Sequence, residues 1–126
     1  MKVAKTFVVA ASFFGLMIVG EPIVCAHSFP ELQSPAAGQT LETSPSRVTI
    51  KYDAPIEKLF ASLQVLDAAG DDKAVGAPEI SPDQSTLSIK VGPLKPGVYT
   101  VKWRVVCVDT HHTQGSYSFT VAGAKS

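Results

Sequence analysis

Methionine is nearly absent from this chain: Met1 and Met17, both near the start, are the only two. Cysteine is as scarce, with Cys25 and Cys107 alone, and Trp103 is the single tryptophan. Neither sign of charge is in excess, with eleven basic and eleven acidic residues, so the basic footprint of a nucleic-acid partner is missing. The same balance gives no reason to expect an anionic membrane surface as target. No segment carries a helical stripe, and no repeat, low-complexity tract or internal linker divides the 126 residues, a length that suits one small domain.

What is present starts with a distinctive head. Residues 1–6 are short and basic, Phe7 to Gly20 is uncharged and apolar, and Glu21-Pro22 breaks the run ahead of Val24-Cys25-Ala26. A basic head, an apolar centre and a small-residue end form a secretory signal peptide. A transmembrane anchor needs roughly twenty apolar residues, more than this run offers. A lipoprotein cut before Cys25 is disfavoured because Pro22-Ile23-Val24 is a poor lipobox. Residues 1–26 are therefore predicted to be a signal peptide cleaved after Ala26. Residues 27–126 are then a mature domain, soluble, monomeric and periplasmic. Removing Lys2, Lys5 and Glu21 leaves it nine basic and ten acidic residues. It loses both methionines and Cys25, so it has no thioether, and Cys107 has no cysteine left for an internal disulfide.

The mature chain alternates. Val48, Ile50 and Tyr52 take every second place, then Leu63 and Val65, then Leu87, Ile89 and Val91. Val98 to Val106 is the longest such run, and Tyr117, Phe119 and Val121 close the pattern. Period two marks half-buried strands. Turn signals part them at Ser44-Pro45, Ala69-Gly70-Asp71, Ser81-Pro82-Asp83, Gly92-Pro93 and Lys95-Pro96-Gly97. This predicts an all-β domain, an antiparallel sandwich or barrel. Tyr99, just after Pro96-Gly97 at a strand start, fits a tyrosine corner, whose phenol bonds back to the upstream backbone. Trp103 is expected to anchor the core.

Three histidines remain after cleavage, and their placement is informative. His27 becomes the first residue, where its free amine and imidazole Nδ1 can chelate one ion together. Two nitrogen donors suit copper(II), nickel and zinc. Phe29 at the third mature position rules out the N-terminal X-X-His motif. Asp109-Thr-His111 is a second half-site, since on an extended segment residues i and i+2 point to the same side. Two imidazoles, an amine and a carboxylate form a tetragonal N,O set, which copper(II) prefers. Against this stand two plainer readings: some residue must come first, and a D-x-H pair is common in exposed loops.

Residues 103–111, Trp-Arg-Val-Val-Cys-Val-Asp-Thr-His, followed by Gly115-Ser-Tyr-Ser-Phe-Thr-Val121, closely resemble the C-terminal signature of CopC proteins. So do Ser34-Pro35 and Leu94-Lys-Pro-Gly-Val-Tyr99. The resemblance covers nearly all of residues 27–126. It implies an Ig-like, Greek-key β-sandwich of about seven strands that binds one Cu(II) per mature chain through His27, Asp109 and His111. It implies a carrier or buffer in copper homeostasis or resistance, not an enzyme, that passes copper to a CopD-like inner-membrane transporter.

Several positions depart from the family pattern. The Met-rich segment that binds copper(I) in some members has no counterpart in a mature chain without Met. Many members have Glu before the proline matched by Pro55; here Ala54 stands there, with Asp53 one place earlier, leaving a fourth ligand open. His112 replaces the usual Pro after the ligand histidine, and is read as exposed or as an auxiliary ligand. Cys107 replaces a small polar residue and, by alternation, shares a face with Trp103, Asp109 and His111. It is either a buried small hydrophobe or a soft ligand or reductant for copper. Two other functions remain. Histidine-brace copper oxygenases attack polysaccharides, but need a larger domain and more exposed aromatics. A metal-free Ig-like module would make the His27, Asp109 and His111 match accidental.

Overall fold

Each long alternating run becomes a strand with one face turned inward. The computed structural model describes residues 29–108 and 110–123; the predicted signal peptide, His27 and Asp109 lie outside them. Eight strands form: β1 (Pro30–Ser34), β2 (Thr40–Leu41), β3 (Arg47–Tyr52), β4 (Ser62–Leu66), β5 (Ala74–Ile80), β6 (Thr86–Val91), β7 (Gly97–Val106) and β8 (His112–Val121). One short 3-10 turn, Lys58–Phe60, precedes β4. Among the described residues no helix is long and apolar enough to cross a membrane.

The strands divide into two four-stranded sheets, ordered β1-β3-β6-β5 and β2-β8-β7-β4. All pairings are antiparallel except the two-residue contact of β2 with β8. The chain crosses between sheets after β1, β2, β3, β4 and β6, while β5–β6 and β7–β8 are hairpins. This is the Ig-like Greek-key sandwich that the alternation and the family resemblance implied, with one strand more than expected.

Between the sheets lie Val48, Ile50 and Tyr52 of β3, Leu87, Ile89 and Val91 of β6, and Leu63 and Val65 of β4. Tyr99, Val101, Trp103 and Val105 of β7 and Phe119 and Val121 of β8 complete the layer. Each such side chain contributes about 1.5–3 kcal/mol by leaving water. Tyr52 meets Trp103 edge to face, with ring centroids 5.4 Å apart, and Tyr99 stacks on Phe119 at 5.7 Å. The tyrosine corner is formed: Tyr99 Oη donates to the Lys95 carbonyl at 2.6 Å.

Three of the edge strands, β1, β2 and β5, carry little of this pattern and escape a reading by period alone. β1 begins with Pro30 and slips register before Leu32. β5 contains Gly76 (φ 81°) and Pro78, and slips register between Val75 and Glu79. Proline and bulges on an edge interrupt the row of open backbone groups that would otherwise invite further strands. The Ser34-Pro35 peptide is cis and closes β1.

Candidate metal centre

The longest hairpin decides where the candidate ligands stand. β7 and β8 pair continuously from Gly97–Val121 to Val106–His112. Beyond that last pair the chain reverses. The Cys107 amide donates to the His111 carbonyl at 2.8 Å, and the Thr110 amide donates to the Cys107 carbonyl at 2.8 Å. Thr110 sits at φ 76°, a left-handed conformation that a β-branched residue rarely adopts. The segment leading to His111 is therefore a tight turn, and the expectation of an extended segment with alternating faces is corrected. Pairing across the hairpin outweighs local β propensity, because the two strands can stay in register only if residues 107–111 turn back.

The turn is anchored from the opposite sheet. After β3 the chain runs through Asp53, Ala54 and Pro55 to Ile56, which bridges Cys107. The Glu57 amide then donates to the Val106 carbonyl at 2.7 Å. This second layer explains why Val105, Val106 and Cys107 are all buried in succession, against simple alternation. Cys107 and Trp103 are both buried, whereas His111, across the turn, is exposed. His112 pairs with Val106 and is exposed, as read from the sequence.

Cys107 is fully buried.

At the same end, β1 begins beside the 53–57 segment. The Phe29 amide donates to Asp53 Oδ1 at 3.0 Å, and the Asp53 amide donates to the Phe29 carbonyl at 3.1 Å. Residue 29, the closest described residue to position 27, and the His111 turn are therefore bonded to the two ends of one five-residue segment. Sequence reasoning missed this arrangement. In the sequence Asp53 stands only as an offset neighbour of Ala54, and nothing in its spacing signals a bond to Phe29.

Of the three expected ligands, the structure describes His111 alone, on the tip of the hairpin; His27 and Asp109 lie outside the described residues. Among the described residues no three His, Cys, Asp or Glu side chains gather to hold an ion. The ion pairs Arg47–Glu79, Lys51–Glu31 and Lys73–Asp67 involve none of the residues of this turn.

Comparison with known proteins agrees with the geometry. The CopC domain family matches residues 31–122. Protein YobA of Escherichia coli strain K12 is 34% identical over 102 residues, covering 79% of this chain and 82% of YobA. Copper transport protein CutJ of Bacillus subtilis strain 168 is 28% identical over 102 residues, covering 79% of this chain but 19% of CutJ. The crystal structure of CopC from Methylosinus trichosporium OB3b superposes with a TM-score of 0.74 at 31% identity, over 79% of this chain and 98% of that one. PcoC, a methionine-rich copper resistance protein from Escherichia coli, shares the fold with a TM-score of 0.66 at 23% identity, over 75% of this chain and 98% of its own. With a sandwich whose β7–β8 hairpin carries the signature residues and a family match spanning most of its length, the chain belongs to the CopC domain family.

Proposed function

We propose that the mature protein binds one Cu(II) ion through the amine and imidazole of His27, the carboxylate of Asp109 and the imidazole of His111. Family membership supports a copper-related function, as do relatives whose names record copper transport and copper resistance. The observation that carries the reading is the meeting of two chain segments at one end of the sandwich. Phe29 is bonded to Asp53, and the turn holding His111 is bonded to Ile56 and Glu57, three and four residues further on.

Chemistry supports the ion and its oxidation state. Nitrogen and carboxylate donors in a tetragonal set suit copper(II), and affinity at such a site favours copper over other divalent first-row ions. Residues 27–126 hold no methionine, the soft donor that would favour copper(I). Cleavage after Ala26 completes the site, because His27 has a free amine only when it is the first residue. The protein then serves as a periplasmic copper carrier or buffer, without catalysis of its own, and transfers the ion to a CopD-like inner-membrane transporter.

The test is to express residues 27–126 with His27 first, and again with one alanine ahead of it. Titration with Cu(II) and the electron paramagnetic spectrum are recorded for both. The extended form should bind far more weakly and give a different spectrum. An unchanged spectrum would exclude the amine–imidazole chelate.

A further inference from the structure

We propose that Asp53 is a positioning residue: it clamps Phe29 and so restricts where the N-terminal arm, and His27 with it, can go. The clamp is an observation of the fold; its consequence for copper rests on the function proposed above.

Pro30 pairs with Tyr52 at the start of β1 but has no amide to donate, and the register slips immediately after it. The ladder between β1 and β3 is therefore weak at this end. The next residues outward, Phe29 and Asp53, are joined twice. The Asp53 amide donates to the Phe29 carbonyl at 3.1 Å, as in an ordinary antiparallel pair. The reverse bond goes from the Phe29 amide to Asp53 Oδ1 at 3.0 Å, a carboxylate standing where a backbone carbonyl would serve. Hydrogen bonds to ionised acceptors are roughly twice as strong as neutral ones. Asp53 is itself exposed, so this bond does not serve to bury a charge.

Reach gives the consequence. An extended residue spans at most ~3.3–3.6 Å, so with Phe29 fixed His27 lies within about 7 Å of it. Without the clamp, the first residue beyond the register slip is Leu32, and five residues of free arm reach about 17 Å. Effective concentration falls as about the −3/2 power of length for a flexible tether, and faster for a stiff one. Releasing the clamp should therefore weaken an N-terminal ligand by roughly 4- to 15-fold. The bond occupies Oδ1 of Asp53, through which the residue acts on Phe29.

Asp53→Asn and Asp53→Ala, prepared with His27 first, separate these roles. Asparagine keeps an acceptor for the Phe29 amide and loses the charge, whereas alanine loses both. Cu(II) affinity should stay within about threefold of the unsubstituted protein in Asp53→Asn and fall roughly tenfold in Asp53→Ala. An equal fall in both, with an altered paramagnetic spectrum, would mean that the carboxylate ligates. No fall in either would overturn the positioning role. Hydrogen exchange at the Phe29 amide, measured without metal, reads the clamp directly: faster in Asp53→Ala, slow in Asp53→Asn. Unaltered exchange in Asp53→Ala overturns the clamp. If the unsubstituted protein fails to bind Cu(II), the proposed function falls while the exchange result still stands.

Discussion

Gly115 lies directly beneath the indole of Trp103: a Cβ at position 115 would stand 2.7 Å from Trp103 Cζ2 and 3.0 Å from Cε2. The two residues face each other across the β7–β8 ladder, and Trp103 is itself wedged against Tyr52. A rigid indole held on both sides cannot withdraw as a flexible side chain would. Gly115→Ala should therefore destabilise the fold by about 1–3 kcal/mol, the usual cost of overpacking. Urea denaturation monitored by Trp103 fluorescence measures it, and an unchanged midpoint would show that the ring can move. The glycine of the signature segment is thus accounted for by packing.

The two adjacent histidines should behave differently. His111→Ala removes a proposed ligand and should abolish most Cu(II) affinity, whereas His112→Ala should change it by less than about threefold, since position 112 belongs to the β8 ladder. Competitive titration against a chelator of known affinity distinguishes them. Equal losses would make His112 a ligand as well.

Three tyrosines offer a contrast within one core. Tyr99 Oη is bonded to the Lys95 carbonyl, while the buried hydroxyls of Tyr52 and Tyr117 have no hydrogen-bond partner among the described residues. Removing a bonded hydroxyl strands its acceptor, whereas removing an unbonded buried one relieves a desolvation cost. Tyr99→Phe should thus cost about 1–2 kcal/mol, and Tyr52→Phe should be neutral or stabilising. Paired thermal melts decide the matter; a larger loss in Tyr52→Phe than in Tyr99→Phe would contradict it.

The same two phenols set an alkaline limit. Burial pushes the Tyr52 phenol well above its ordinary range, with the neighbouring Tyr117 adding to it, and burial likewise raises Tyr117. In the unfolded chain both ionise near pH 10. Below that pH they are neutral in both states and their contribution is complete. Above it the unfolded state releases protons that the folded state keeps, so stability falls as pH rises towards the folded values. The slope is on the order of 1 kcal/mol per pH unit for each phenol. Denaturation midpoints from pH 9 to 12 should drop more steeply for the unsubstituted protein than for Tyr52→Phe/Tyr117→Phe. Parallel profiles would count against it.

Copper release should follow acidification, because amine and imidazole must be deprotonated to ligate. Bound copper measured after dialysis at stepwise lower pH should decline, and return on neutralisation. Retention at pH 4 would require a donor set other than the one proposed.

The sequence alone determined an antiparallel all-β domain, and the division into two sheets came with the structure. Runs such as Val48-x-Ile50-x-Tyr52 and Leu87-x-Ile89-x-Val91 must bury one face, and prolines and glycines between them must turn, so strands β3, β4, β6, β7 and β8 were legible without coordinates. Tyr99 and Trp103 were equally legible, because a turn and a strand face are local properties. Tertiary structure decided what depends on residues distant in the chain. Edge strands β1, β2 and β5 exist only because a neighbour pairs with them. The turn at 107–111 overrides an apparent strand because both arms of the hairpin are already in register. Asp53 meets Phe29 twenty-four residues away. No spacing rule could supply that last contact, since it arises from the pairing of β1 with β3 and not from the residues around either partner.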